Sequence, residues 1–235
     1  MGLNNIGNVY RIIEDTESAI LVYEESLSIY QVLPDYPAVV QVLSNMAAAL
    51  IHESRFEEAE KVLETAERVA REKGVPFLAG ERNRGILLLK KREYARAEGI
   101  LKKVRENTDP SLLSDVAAVN FALGNLMIEN DKIEEGIRYF KDALKADRVS
   151  GFHKAIADDL FALGDAYARQ GKNDLAFKYF KRSVQVYALI GNREKAQALM
   201  NRLAAIAEKT DADMRVVTML VNRWLDGKAY ISPYK

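Results

Sequence analysis

One pattern of residues recurs along the chain every 38 to 40 positions. In each copy a small residue is followed twelve positions later by a second small residue, and four positions after that by a large apolar one. These residues are, in order, Gly7, Ala19 and Tyr23; Ala47, Ala59 and Leu63; Gly85, Ala97 and Leu101; Gly124, Gly136 and Phe140; and Gly164, Ala176 and Phe180. Self-similarity at a fixed period indicates stacked copies of one structural unit.

Each copy contains two amphipathic stretches with apolar residues at helical spacing, joined by a short polar turn such as Asn130-Asp131-Lys132. Short turns join antiparallel neighbours, and no strand pattern competes. We therefore predict an all-α array, a single solenoid over residues 1–226 that is followed by a tail. The predicted units cover residues 1–33, 37–74, 77–107, 110–148 and 153–190, a capping pair covers 193–226, and the tail covers 227–235.

The best-preserved copy carries Leu160, Leu163-Gly164, Tyr167, Ala176 and Phe180. This order of residues resembles the tetratricopeptide repeat (TPR) family. The period exceeds that family's usual 34 residues, as in long-repeat members such as kinesin light chains and bacterial peptide-sensing regulators. The resemblance implies a right-handed α-solenoid of stacked antiparallel helix pairs that binds a protein or peptide along its concave groove, which the first helices line.

Carried over to this chain, the resemblance implies a groove that is polar in its early half and partly aromatic in its later half. The implied groove residues are Asn5, Asn8, Arg11, Asn45, Arg82, Asn83, Phe121, Asn125, Phe161, Asp165 and Arg169.

Two readings stay open for these residues. Asn5, Asn45 and Asn83 share a register, two positions before the central small residue, and Asn201 holds it in the last pair. A carboxamide both donates and accepts, so this row could pair with a peptide backbone or bond only within the repeat. In the same way, Phe121 and Phe161 could anchor a partner or pack against a neighbouring helix.

The two ends and the third unit depart from the pattern. Leu203 replaces the central small residue of the last pair, which is read as a cap. At the other end Leu3 and Ile6 would lack an upstream neighbour, so we expect further repeats before them or self-association through this face. In the third unit Glu81 and Arg84 occupy apolar positions, either on a wet face or as a mutually satisfied pair.

The composition and the motifs of the sequence limit the partners and the kinds of site that we expect. Lys+Arg and Asp+Glu both number 34, which argues against a nucleic-acid or anionic-membrane partner because both require a basic excess. The sequence has no Cys, and its two histidines, His52 and His153, fall in different units. It has no catalytic, phosphate-loop or metal motif. We therefore predict a protein that is not an enzyme and that carries no cofactor and no metal.

The sequence thus favours a non-enzymatic scaffold that binds a protein or peptide. The alternative is a peptide-sensing or regulatory module of a larger bacterial multidomain regulator. A clamp for a C-terminal carboxylate, as in some TPR domains, is disfavoured. Asn8 and Asn45 match its two asparagines, but Asn4, Ala79 and Asn83 stand where its cations are needed.

Overall fold

The computed structural model describes residues 2–13, 15–33, 35–210 and 212–227, and these residues form twelve α-helices in two compact units, Met1–Thr108 and Asp109–Lys235. Unit 1 contains α1 Gly2–Ile12, α2 Thr16–Val32, α3 Tyr36–His52, α4 Phe56–Lys73, α5 Leu78–Lys90 and α6 Tyr94–Asn107. Unit 2 contains α7 Leu113–Glu129, α8 Ile133–Ser150, α9 His153–Arg169, α10 Asn173–Leu189, α11 Arg193–Ala207 and α12 Met214–Leu225. The all-α prediction of paired helices is confirmed. Apart from Gly227, the predicted tail lies outside the described residues.

Local signals in the sequence set the helix ends. Asp35 caps α3 by accepting a hydrogen bond from the backbone N–H of Ala38 at 3.1 Å, and Pro37 lies in the first turn. Asn192 caps α11 in the same way, from the N–H of Lys195 at 3.0 Å. Gly74 ends α4 in a left-handed conformation with a φ of 65°.

The turns within the helix pairs share one backbone geometry. Ser54, Arg92, Asp131 and Gly171 each stand seven residues after the central small residue and have φ values between 58° and 71°. The next residue donates its N–H back to the first helix at the same register in each pair, for example from Lys172 to the carbonyl of Tyr167 at 3.0 Å. This left-handed residue lets the chain reverse in few residues. In the first pair the equivalent residue, Glu14, lies outside the described residues.

Because Ser54, Arg92 and Asp131 carry a Cβ at this position, the turns predict opposite effects for two substitutions. Arg92→Gly is expected to raise the free energy of unfolding by about 0.5–1 kcal/mol, since glycine removes the left-handed strain but adds chain entropy. Gly171→Ala is expected to lower it by a similar amount. Urea unfolding followed by circular dichroism measures both, and changes of the same sign would contradict the shared geometry.

The core of each pair is the contact between the small and the large residue of the repeat. Tyr23, Leu63, Leu101, Phe140 and Phe180 are all at most 1% exposed. A Cβ added at Gly124 would lie 2.5 Å from the ring of Phe140, and one at Gly164 would lie 2.6 Å from the ring of Phe180. The small residue therefore admits the large side chain of the second helix, so that the two helices approach closely.

In the third helix pair, the partner of the polar residue Arg84 differs from both expectations. Arg84 donates to the carboxylate of Glu67 on α4 at 2.9 Å and lies 5.7 Å from the ring centroid of Phe77. The hydrogen bond from Arg84 lowers the pKa of Glu67. Both residues line a cleft of about 280 Å³, where Lys91 also donates to Glu60 at 2.5 Å. The partner of Arg84 thus comes from the neighbouring helix pair.

The last two helices depart from the repeat, as their sequence does. Leu203 is buried at the position of the central small residue. α12 packs against both α10 and α11, places Val217 and Val221 in the core, and leaves Val216 and Met219 exposed. The guanidinium of Arg193 donates to the carbonyl of Leu225 at 2.7 Å and holds the end of α12.

Candidate functional site

Carboxamide side chains join the first helices of unit 1. The Nδ2 of Asn45 on α3 donates to the Oδ1 of Asn4 on α1 at 3.0 Å. The Oδ1 of Asn45 accepts from the Nε2 of Gln41, one turn earlier, at 3.1 Å. Asn5, next to Asn4, is exposed. Asn4, Asn5, Gln41 and Asn45 are here called the carboxamide face of unit 1.

Asn8 and Arg11, also among the predicted groove residues, both interact with the buried Tyr23. The hydroxyl of Tyr23 donates to the Oδ1 of Asn8 at 2.8 Å. Burial raises the pKa of Tyr23, and the exposed guanidinium of Arg11 partly offsets the rise. Asn8 is therefore committed to packing within the first helix pair, whereas Arg11 remains accessible.

Asn83 lies inside the unit. It is 3% exposed, and its Nδ2 donates to the backbone carbonyl of Ser44 on α3 at 2.6 Å. Asn5, Asn45 and Asn83 thus share a sequence register but are exposed, half-buried and buried, respectively. Asn83 joins α5 to α3 and is not accessible to a ligand, while its neighbour Arg82 is half-buried.

In unit 2 the predicted aromatic residues are half-buried. Phe121 packs against Phe140 with ring centroids 5.5 Å apart, and Phe161 packs against Phe180 at 5.6 Å. Each aromatic therefore extends the core of its own helix pair and keeps part of its ring at the surface. The two residues hold the same register on the consecutive first helices α7 and α9.

Charged side chains lie around Phe161. The guanidinium of Arg202 on α11 lies 5.5 Å from the ring centroid of Phe161, a cation–π arrangement, and also forms an ion pair with Asp165. The Nε of Arg169 donates to Asp165 at 3.2 Å, and this guanidinium lies 4.0 Å from Glu129 on α7. Three first helices are thereby linked by alternating charges.

The aromatic face of unit 2 is defined by Phe121, Asn125, Glu129, Phe161, Asp165, Arg169 and Arg202. The half-buried Asn125 stands on α7 one turn after Phe121 and one turn before Glu129. Glu129 and Arg202 were not among the sequence candidates. Their only signal was the Asp165/Arg169 spacing, which marks an i,i+4 ion pair without revealing which residues of other helices join it.

The first helix of unit 1 and the residue that follows it expose an apolar stripe. Ile6, Val9 and Ile13 are 47%, 55% and 64% exposed, and Leu3 is half-buried. The residues that match Val9 in the register of α3, α5 and α9, namely Ala49, Leu87 and Ala166, are at most 2% exposed. The expected exposure of Ile6 is therefore present, and it extends to Val9 and Ile13.

The described ranges contain neither a candidate membrane span nor a candidate metal cluster. None of the helices there has both the length and the apolar composition needed to cross a membrane. Within the same residues, no three His, Asp or Glu side chains are grouped so that they could hold a metal ion.

Antiparallel helix pairs, each closed by a small residue against a large one, define an α-helical repeat protein. The family model described as tetratricopeptide repeat matches residues 1–72 and 115–188, more than half of the chain. The chain therefore belongs to the tetratricopeptide repeat family, as its sequence pattern predicted.

Two curated plant proteins are similar over nearly the whole chain. Protein KINESIN LIGHT CHAIN-RELATED 3 of Arabidopsis thaliana is 27% identical over 232 residues, which cover 93% of this chain and 36% of that protein. Protein KINESIN LIGHT CHAIN-RELATED 1 of the same plant is 22% identical over 231 residues, which cover 93% and 38%. The chain thus spans little more than a third of the length of these relatives.

Solved structures with the same fold include two that cover most of this chain. A Rap protein complexed with Competence and Sporulation Factor matches with a TM-score of 0.71 and 15% identity, over 96% of this chain and 73% of that chain. BtubC (BKLC) from P. vanneervenii matches with a TM-score of 0.65 and 17% identity, over 94% and 95%. At these identities the similarity shows the shared TPR fold.

Proposed function

We propose that this protein is a non-enzymatic scaffold that binds a protein or peptide segment on the faces of its first helices. The observation that carries the proposal is the aromatic face of unit 2. There, two half-buried rings occupy one register of the consecutive first helices α7 and α9, beside a carboxamide and two guanidinium groups. Aromatic and Arg side chains around a partly desolvated patch are the usual anchors of protein interfaces.

The rings and the charges have different roles in this proposal. Phe121 and Phe161 are fixed by packing against Phe140 and Phe180, so they lose little side-chain entropy when a partner covers them. Arg169 and Arg202 are each about half exposed and share Asp165, which leaves donors for a carboxylate or a backbone carbonyl. The face therefore suits a segment with an apolar side chain next to an acidic or backbone acceptor.

The carboxamide face of unit 1 supplies a second contact region. Asn45 uses its Nδ2 and Oδ1 within the chain of amides, but Asn5 and Arg11 are exposed. Amides that both donate and accept can follow a peptide backbone without selecting its side chains. Asn5, Asn45 and Arg11 are therefore proposed as ligand contacts, while Asn8 and Asn83 support the fold.

The test combines Phe121→Ala with Phe161→Ala. Peptides are first selected from a displayed library of random 12-residue peptides on the wild-type chain, and their Kd values are measured by fluorescence polarisation. The double variant is expected to bind at least tenfold more weakly, because each anchor ring contributes about 1–2 kcal/mol or more. Phe152→Ala is the matched control: its ring is 45% exposed at the start of α9, outside the aromatic face.

Unchanged binding by a double variant that retains its helicity would refute the anchor role. An equal loss in the Phe152→Ala control would point to general apolar capture. If the library yields only polyanionic peptides and salt abolishes their binding, the result would favour an electrostatic site over the aromatic one.

The alternative function is a peptide-sensing or regulatory module within a larger multidomain regulator. One observation favours it: the fold matches that of a Rap protein solved with a bound factor. The complete reading frame distinguishes the two functions. An adjoining helix-turn-helix or catalytic domain would support the regulator, and further TPR units alone would support the scaffold.

A further inference from the structure

Two aspartates face each other inside unit 2, where α9 packs against α8. Asp159 on α9 is 1% exposed, and Asp147 near the end of α8 is 5% exposed. In the repeat register, Asp159 matches Val42 and Asp147 matches Ala70, both of which are buried and apolar. Unit 2 thus carries two carboxyl groups at registers where the second helix pair carries buried apolar side chains.

The two carboxyl groups are hydrogen-bonded to each other. Ionised carboxylates only accept, so this bond requires a proton on one of them. The proton is assigned to Asp159, which is the more deeply buried of the two and whose pKa is raised mainly by that burial. Among the described residues, no group donates a hydrogen bond to the Oδ2 of Asp159, which is buried.

The charged groups around the pair are few. Asp158, the neighbour of Asp159 on α9, adds negative charge and is itself bound by the hydroxyl of Tyr187 on α10 and by Lys154 at 3.3 Å. The positive charge of Arg148 on α8 offsets part of the rise in the pKa of Asp159. Burial is the main cause that raises the pKa of Asp159 to about 9 and that of Asp147 to about 6.

We propose that the Asp147–Asp159 pair is a proton-dependent clasp, in which one shared proton holds α9 against α8 and whose loss in alkaline solution opens this junction between two repeats. Without the proton, two carboxylates meet at a helix junction where both side chains are at most 5% exposed. Two like charges that approach in a buried site repel strongly. The inference rests on the buried pair and is independent of the proposed ligand.

The direction of the pH dependence follows from proton binding. An unfolded aspartate releases its proton near pH 4, whereas the folded pair retains one proton between the two raised values of about 6 and 9. The folded state therefore binds more protons than the unfolded state in this range. Stability falls as the pH rises, and the unfolding equilibrium constant increases by up to about tenfold per pH unit.

The clasp also connects to the aromatic face. Phe161 and Asp165 follow Asp159 on the same helix, by two and six residues. A displacement of α9 against α8 would move both side chains relative to those on α7. Loss of the shared proton is therefore expected to loosen the face before it unfolds the unit.

The experiment compares the wild type with Asp159→Asn in urea unfolding at intervals from pH 5 to 9.5. The amide of Asn donates permanently to Asp147, so the variant reproduces the protonated pair at every pH. Above pH 6, the free energy of unfolding of this variant is expected to fall much less than that of the wild type. Asp174→Asn, which changes an exposed aspartate in the first turn of α10, is the matched control and is expected to retain the wild-type slope.

A second measurement observes the wild-type proton directly. The carboxyl ¹³C shift of Asp159 is followed by NMR, with the resonance assigned through the Asn variant, and amide protection in α9 is measured after correction for intrinsic exchange. Titration of Asp159 above pH 7 with loss of α9 protection supports the clasp. Titration near pH 4, or an unchanged slope in Asp159→Asn, overturns it. If that variant does not fold, the wild-type titration, assigned then by triple-resonance spectra, decides the question.

Discussion

Replacing Gly164 with Ala is expected to lower the free energy of unfolding by about 1–3 kcal/mol, although alanine is the better helix former. The added Cβ would lie 2.6 Å from the ring of Phe180, which is fully buried and cannot move into solvent. The helices α9 and α10 must separate to admit it. Urea unfolding followed by circular dichroism measures the loss.

Gly99→Ala is the control for helix propensity. Gly99 lies within α6, and a Cβ there meets nothing within 4 Å. This substitution is therefore expected to raise the free energy of unfolding by about 0.5–1 kcal/mol. A similar gain at Gly164 would show that the close approach of the two helices is not required.

The chain itself suggests how to rescue the Gly164 variant. In the second pair an alanine, Ala47, already occupies the central position, and the facing residue is Leu63. Adding Phe180→Leu to Gly164→Ala should therefore restore part of the stability, so that the double variant loses less than the sum of the two single variants. Strict additivity in this double-mutant cycle would contradict direct contact between the two positions.

The second large effect is expected at Asn83. Asn83→Ala removes a buried hydrogen bond of 2.6 Å to the carbonyl of Ser44 and leaves a gap between α5 and α3. We expect a loss of about 1–3 kcal/mol in urea unfolding. Asn5→Ala, at the same register on an exposed surface, is expected to change stability by less than about 0.5 kcal/mol.

The same two variants distinguish a residue that stabilises the fold from a residue that binds the ligand. Peptide affinity should fall in Asn5→Ala while its unfolding curve remains that of the wild type. Equal stability losses at Asn5 and Asn83 would show that the register, and not burial, determines the role of these asparagines. An Asn83→Ala variant with wild-type stability would show that the bond to Ser44 contributes nothing.

Much of the fold follows from short-range and periodic features of the sequence. The positions of Gly164, Ala176 and Phe180 predicted a close helix contact, because only a small residue leaves room for an aromatic ring on the facing helix. The turns were also located, since polar residues interrupt the helical periodicity there. The left-handed conformation of Arg92 was not predictable, because arginine has no local preference for it.

The candidate site could be predicted only in part. The resemblance to the TPR family predicted Phe121, Phe161, Asp165 and Arg169 as groove residues, because register identifies the side of a helix. Their partners Glu129 and Arg202 come from other helices, so no local spacing reveals them. The sequence also grouped Asn83 with Asn5, and it gave no sign that Asp147 and Asp159 meet, since acidic residues are usually solvated.

By itself, the sequence determined the repeat, the helix pairs, the TPR family and the small-to-large contact that closes each pair. These follow from periodicity and side-chain volume, which are properties of the chain itself. Only the tertiary structure decided which polar side chains are buried, namely Asn83 bonded to Ser44 and Asp159 bonded to Asp147. The reason is physical: the cost of burying a polar group depends on the partner it finds, and that partner comes from another helix.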